Sequence, residues 1–501
     1  MNNINLSSYS TIVKFGTSGW RAPIGDGFTA FNLQRLTQAL LSHIMENPDY
    51  GFHGDQYRRF LKEKGLKHKK PLVIVGYDTR YMSEQFAQIV ADVLSANAVS
   101  VKLAMHPAPT PVVAYNVVKY GAVGGVTITA SEGRHYLNGF KWTPFWGGPA
   151  IPEVTEDIEK RLHGTITAVN KGGLRDFTLS SPLVEKVDIR DGYFEQILSL
   201  VDVKKIKASK LKIAVDPLYG STIPYLRPLM EQLGLETEGI HEHRDVLFGG
   251  KPPYTGPDSL AELSQFVKKR KLDLGIACDC DGDRFGIIDS DGTWISPNHV
   301  LALVLDHLAR NRGMRGRVCR SVVTSHFVDA VAKSYGLEVR ETPVGFKFIG
   351  ELMRTGNYIL GGEESGGLSI LGHVPEKDGI LACLLIIEML AYDKKPLKKI
   401  RQELQDRFGN FCSVKTNAPI MDELEQLIER LNLKPPLSLA GFSVWRIDQT
   451  DGFKFILRDG SWLGLRPSGT EPMVRIYAEA TSPAKLEQLI QSGKDIIKGK
   501  F

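Results

Sequence analysis

A continuous apolar run, a turn and an amphipathic helix recur three times along the chain, and this recurrence limits the fold more than any other feature. The first copy reads PLVIVGYDTR from Pro71, then MSEQFAQIVADVLSANA and SVKLAM. The second reads LKIAVDPLYG from Leu211, then TIPYLRPLMEQLG. The third reads RVCRSVVTSH from Arg317, then FVDAVAKSYG and LEVRET. Unbroken apolar strands between helical periods are the pattern of parallel sheets buried on both faces. Three copies predict three related α/β domains rather than one large sheet. After Phe411 the pattern changes to a strand (CSVKTNAPI), a helix (MDELEQLIERL), two strands around FSVWRIDQTDGFKFILRDG, the loop RPSGTEP, the strand MVRIYAEA, and a helix opened by Ser482 and Pro483. Ser before a helix and Pro at its first position are start signals. This part reads as a small α+β domain. The expected boundaries are 1–205, 206–312, 313–408 and 409–501.

Composition removes several function classes. The 62 basic and 57 acidic residues leave a net charge of +5, with no basic block, so a nucleic-acid partner is not expected. The five cysteines include a CxC at Cys278 and Cys280, but no second pair completes a zinc site, so reduced thiols are expected. The start MNNINLSSYSTIVKF lacks the basic and apolar regions of a signal peptide. The longest apolar run, Ile380 to Ile387, stops at Glu388 and reads as a buried helix, short of the roughly 20 residues that span a bilayer. A soluble cytoplasmic protein without a membrane partner is expected.

Asp279-Cys280-Asp281-Gly282-Asp283-Arg284 sits between the strand-like runs LDLGIAC and FGIID. Converging carboxylates repel by about 3 kcal/mol per pair at roughly 5 Å and an effective dielectric near 20. A hard divalent cation, Mg²⁺ or Ca²⁺, would relieve that repulsion. An EF-hand is excluded, because its glycine position holds Arg284 and its closing glutamate position holds Ser290. Ser131 lies where another strand ends, the edge at which α/β sheets gather ligands. It is not a hydrolase elbow, since Thr129 stands where that turn needs Gly. Taken alone it reads as a turn serine more often than as a nucleophile. The loop from Arg466 offers a guanidinium, the hydroxyls of Ser468 and Thr470, and backbone access at Gly469, with Arg475 as a second cation, which suits a phosphate; taken alone, a hairpin-like turn with a surface arginine fits equally. Glu363 and Ser365, among glycines, form either a site for sugar hydroxyls or a plain acidic turn.

In this order, from Phe15-Gly-Thr-Ser-Gly-Trp-Arg21 to Arg475, the motifs resemble the α-D-phosphohexomutases, the phosphoglucomutase and phosphomannomutase family. The resemblance implies a four-domain, heart-shaped α/β fold with the site in a central cleft. It implies that Ser131 carries a phosphate and, with Asp279, Asp281 and Asp283, holds Mg²⁺. Arg21, Lys141 and Arg284 would line the phosphoryl-transfer site. Glu363 and Ser365 would hold sugar hydroxyls, and Arg466, Ser468, Gly469, Thr470 and Arg475 the other phosphate. The run Glu341 to Lys347 resembles glucose-preferring branches, with Lys347 an acid/base. In the run from Gly366 to Gly379, Gly367 replaces a histidine, His373 would supply an imidazole instead, and Lys377 would join the substrate site. The implied reaction moves phosphate between the 1 and 6 positions of a hexose through glucose 1,6-bisphosphate, in a monomer or homodimer. One departure stands out: the family reads TASHNP where this chain reads TASEGR. Glu132 beside a phosphoserine either repels it or points to solvent and pairs with Arg134. A hexose 1,6-bisphosphate synthase and a weak sugar-phosphate-binding protein are the alternative readings.

Overall fold

The computed structural model describes residues 13–16, 19–172, 181–419, 424–467 and 473–500. The strands form four sheets in chain order. The first holds β1 (Trp20–Pro23), β2 (Leu72–Tyr77), β3 (Ser100–Ala104), β4 (Gly124–Ile128), β5 (Leu137–Pro144) and β6 (Val184–Val187). The second holds β7 (Lys212–Asp216), β8 (Glu236–Gly239), β9 (Leu274–Cys278), β10 (Phe285–Asp289) and β11 (Trp294–Ile295). The third holds β12 (Arg317–Ser321), β13 (Val339–Thr342), β14 (Tyr358–Glu363) and β15 (Gly367–Ile370). The fourth holds β16 (Cys412–Pro419), β17 (Ser438–Leu439), β18 (Phe442–Asp448), β19 (Phe453–Leu457), β20 (Trp462–Pro467) and β21 (Met473–Ala480).

The first three sheets share one arrangement, β5-β4-β2-β3, β10-β9-β7-β8 and β15-β14-β12-β13. In each, the leading strand of the repeat pairs in parallel with both neighbours. The apolar runs that mark these strands are buried throughout in β2, β4, β9 and β14. The sheets are mixed rather than purely parallel, because each third strand turns back through an antiparallel hairpin, β4–β5, β9–β10 or β14–β15. These three hairpin turns hold Ser131, the carboxylate loop, and Ser365 next to Glu363. The fourth sheet is antiparallel in the order β16-β21-β20-β19-β18-β17. Its strand β20 takes in Arg466 and Pro467, which the sequence assigns to the following loop. The helix Pro483–Ile497 starts as read, with the Ser482 side chain accepting from Lys485 N.

One continuous apolar core runs through the first three sheets, and the fourth sheet has its own. Val322 and Val323 pack with Ile456, Trp462 and Tyr477 where the third and fourth sheets meet. The helix Gly379–Asp393 lies between the second and third sheets, against β9, β10 and β15. Burial from Gly379 to Ala391 explains why it is apolar all round. Among the described residues no helix is long and apolar enough to cross a membrane.

Glu388 is the one carboxylate inside that helix's buried length. Its oxygens accept from Asp202 N at 2.6 Å and Arg312 Nη1 at 2.6 Å, and lie 2.9 Å from His307 Nε2. It thereby ties the segment at Asp202 to the helix Pro297–Arg310 and to Arg312 just after it. Glu388→Ala strands these partners, and removing one member of a buried pair costs about 3–5 kcal/mol. The expected result is a clear fall in the thermal unfolding midpoint relative to wild type; an unchanged midpoint contradicts this account.

Candidate active site

The β9–β10 turn places Asp279, Asp281 and Asp283 in the interior, each at most 1 % exposed. Gly282 permits the turn at φ 67°, and a Cβ there would lie 2.7 Å from Thr222 Cγ2. One oxygen from each carboxylate lies within 4.8 Å of the others. Other domains supply their partners. Ser131 Oγ donates to Asp279 Oδ2 at 2.8 Å. Thr110 Oγ1 donates to Asp281 Oδ2 at 2.5 Å. Lys141 Nζ lies 2.5 Å from Asp281 Oδ2 and 2.9 Å from Asp283 Oδ2. Lys377 Nζ lies 3.3 Å from Asp283 Oδ2.

These contacts separate the three acids. Burial and the two neighbouring carboxylates push Asp279 well up. Burial works upward on Asp281 too, but Lys141 and the hydrogen bonds outweigh it and hold Asp281 well below the ordinary range. Asp283 is lowered as well, with burial and Asp281 opposed by Lys141 and Lys377. Asp281 Oδ1 and Asp283 Oδ1 remain buried without a hydrogen-bond partner. Two orphaned carboxylate oxygens beside Asp279 and a serine oxygen make a hard, oxygen-only donor set, and these residues fit Mg²⁺.

Ser131 is 1 % exposed and adopts φ 52°, a left-handed conformation uncommon for any residue but Gly. Lys141 reaches the carboxylates from β5, opposite Thr127 of β4. Arg21 on β1 faces Gly139 of β5 and is exposed, with Arg284, Asp281, Glu132 and Asp283 as charged neighbours. Glu132 neither points to solvent nor pairs with Arg134. It forms an ion pair with Arg284 Nη1, both side chains about four-fifths buried, while Arg134 is exposed. The correction has a simple cause: the turn after Ser131 faces the carboxylate loop, whose last residue carries the nearest guanidinium.

Glu363 ends β14. Its oxygens take Gly345 N at 2.8 Å and Ser365 Oγ at 3.5 Å. Burial, then Glu364, pushes its carboxyl up to about 7. Gly362 belongs to the strand rather than a loose acidic turn, since a Cβ there would sit 2.3 Å from Leu301 Cδ2. The structure does not place His373 at the substrate site. Its side chain is fully buried, with Nε2 2.9 Å from Asp378 Oδ2, and Tyr193 OH donates to the same oxygen at 2.8 Å. Lys377 fills that role spatially: a Cβ at Gly367 would lie 2.3 Å from Lys377 Cδ, so the missing side chain leaves room for the lysine stem.

Lys347 stands apart from the Ser131 cluster. Burial lowers its ammonium, and its charged neighbours are Glu153, Glu156, Arg466 and Asp451. Arg466 on β20 faces Arg475 on β21. Its Nε donates to Asp451 Oδ2 at 2.9 Å, an oxygen that also accepts from Val344 N at 2.9 Å. Ser468, Gly469 and Thr470 lie outside the described residues. Two polar residues of the site escaped the sequence reading, Thr110 and Asp451. Their signals were local: Thr110 opens the helix Thr110–Tyr120, and Asp451-Gly452 is a hairpin turn between β18 and β19.

Family sequence profiles match in four blocks. Phosphoglucomutase/phosphomannomutase alpha/beta/alpha domain I matches residues 53–168, domain II 191–292, domain III 296–408 and the C-terminal domain 400–492. The chain is 28% identical to a phosphoglucomutase of Komagataeibacter xylinus over 98% of its own length and 91% of that protein. It is 30% identical to a phosphoglucomutase/phosphomannomutase of Thermococcus kodakarensis over 89% of its length and 93% of the relative. The crystal structure of a putative phosphomannomutase from Thermus thermophilus superposes with a TM-score of 0.79 at 28% identity, covering 98% of this chain and 100% of that one.

Binding to the folded state raises the unfolding midpoint. Millimolar Mg²⁺ is therefore expected to raise that midpoint in the wild type and to leave Asp281→Asn unchanged. An equal rise in both would place the ion elsewhere.

Proposed function

From the membership of this chain in the phosphoglucomutase/phosphomannomutase family, we propose that it interconverts hexose 1- and 6-phosphates, glucose preferred, through a phosphate carried on Ser131. The observation that carries this reading is the hydrogen bond from Ser131 Oγ to Asp279 inside a buried cluster of carboxylates and ammonium groups. The run Glu341 to Lys347 and the similarity to a phosphoglucomutase support glucose.

The sugar hydroxyl oxygen bonds to the phosphorus as the bond to Ser131 Oγ breaks, and the hydroxyl proton ends on Oγ. The product is glucose 1,6-bisphosphate, which turns over and returns its other phosphate to Ser131. Lys141, Lys377, Arg284 and Arg21 supply positive charge beside the transferring group. Mg²⁺ held by Asp279, Asp281, Asp283 and Ser131 would neutralise charge on the phosphoryl oxygens. Glu363 accepts from sugar hydroxyls. Arg466, oriented through Nε by Asp451, turns its remaining N–H groups to the non-reacting phosphate.

Intact-mass analysis after exposure to glucose 1,6-bisphosphate and Mg²⁺ should find one added phosphate on the wild type and none on Ser131→Ala. The variant should lose mutase activity by at least about a thousandfold, as expected when a covalent carrier is removed. Full activity in Ser131→Ala ends the proposal, and net release of bisphosphate by the wild type would make the protein a synthase.

A pH profile tests Glu363. Its carboxyl is raised to about 7, so the accepting carboxylate is present above that pH and lost below it. KM for glucose 1-phosphate is expected to rise as the pH falls through 7. Glu363→Gln should show a high KM at every pH; a wild-type KM that is flat from pH 6 to 8 contradicts the assignment.

A further inference from the structure

Arg80 closes the first copy of the sequence repeat, directly after β2, and belongs to none of the groups above. Its side chain is 0 % exposed. One guanidinium gathers four backbone carbonyls from the turn that carries Ser131. Nη2 donates to Ser131 O at 2.5 Å and Gly133 O at 2.7 Å. Nη1 donates to Arg134 O at 2.9 Å and Leu137 O at 3.2 Å. No other side chain among the described residues is recorded as donating to those carbonyls.

The guanidinium is itself fixed from two sides. Its Nε lies 3.1 Å from Asp78 Oδ2 as an ion pair without a well-aligned N–H. The other Asp78 oxygen accepts Ser83 Oγ at 2.6 Å and Arg80 N at 3.0 Å. From the second sheet's side, the Phe248 ring lies 5.0 Å from Arg80 Cζ, Arg244 Nη2 donates to Arg80 O at 3.1 Å, and Cys280 Sγ donates to Asp78 Oδ2 at 3.3 Å. Cys280 is a member of the carboxylate loop.

Four carbonyl dipoles aimed at one buried point repel one another unless a cation stands there. A left-handed Ser131 also needs its conformation imposed from outside. A planar fork of N–H donors meets both needs, whereas a lysine ammonium, with three tetrahedral donors, cannot span the same acceptors.

We infer that Arg80 is a positioning residue for phosphoryl transfer: it sets the Ser131 turn from behind and registers it, through Asp78 and Phe248, to the domain bearing Asp279, Asp281 and Asp283. This rests on the reading of Ser131 as the phosphate carrier. Arg80 touches no reacting atom. Its contribution is the distance and direction from Ser131 Oγ to the carboxylate loop, so its loss falls on transfer rather than on sugar-phosphate binding, which involves Glu363 and Arg466 in other sheets.

Two variants of the full chain test it, Arg80→Lys and Phe248→Leu. Each is measured for thermal unfolding, for phosphate on Ser131 after glucose 1,6-bisphosphate and Mg²⁺, and for kcat and KM with glucose 1-phosphate. A small misplacement of a reacting group costs on the order of 100-fold, so kcat should fall about that much in Arg80→Lys. KM should stay within about threefold, because binding common to ground and transition states is untouched. Phe248→Leu should give a smaller fall in kcat with the same constancy of KM. A folded Arg80→Lys enzyme with wild-type kcat overturns the inference, as does a loss borne by KM alone. If Arg80→Lys does not fold, Phe248→Leu decides, and unchanged kcat in it overturns the inference. A wild type that takes no phosphate on Ser131 removes the parent reading, whereas a phosphorylated wild type matched in kcat by both folded variants removes only the role of Arg80.

Discussion

The Lys141 ammonium between Asp281 and Asp283 is the contact on which the rest of the site depends. Three carboxylates cannot be buried together without compensation, because each loses its hydration and repels the others. The second sheet supplies the acids but not enough charge to balance them. Lys141 comes from the first sheet, and Lys377 arrives from the connection after β15 of the third. Burial works against the ammonium of Lys141, yet Asp281 and Asp283 raise it above the ordinary lysine range. The charge balance of one turn is therefore also what holds three domains in register.

That arrangement follows from a repeated topology. β4, β9 and β14 occupy the same place in their sheets, beside the leading strand of each repeat. Their carboxyl ends lead into the hairpins that present Ser131, the three aspartates and Glu363. Ligands gather at this edge of α/β sheets. Three copies of one solution place a buried serine, three buried aspartates and a buried glutamate at matching hairpins, the groups on which the proposed reaction draws.

Much of this was legible in the chain. The runs at 72–77, 213–216 and 318–321 are strands buried on both faces, and in the first two that burial leaves a largely apolar signature. The loop at Asp279 was legible because such dense like charge has few purely structural uses. The failures share a cause. Glu132 and Arg284 are 152 residues apart, and nothing in local sequence announces their pairing. His373 offers an imidazole in the right stretch, but Asp378 and Tyr193 hold it inward, and that packing is visible only in three dimensions. Position along the chain identified the participants; side-chain direction, set by burial, decided their partners.

The Glu132–Arg284 pair has a consequence for how ligands enter. Glu132, Asp279, Asp281, Asp283 and Glu376 stand against Arg21, Lys141, Arg284 and Lys377, so acids and bases are nearly matched in number. A dication alone or a phosphate dianion alone would shift this near-balance by two charges; together they would leave it unchanged. Were both to bind, their occupancies would be thermodynamically linked, and reciprocity would require each to change the affinity of the other by the same factor. With a neutral histidine at position 132 the balance would start one charge more positive and would favour the anion on its own. With glutamate there, the proposed site would favour cation and phosphate arriving together.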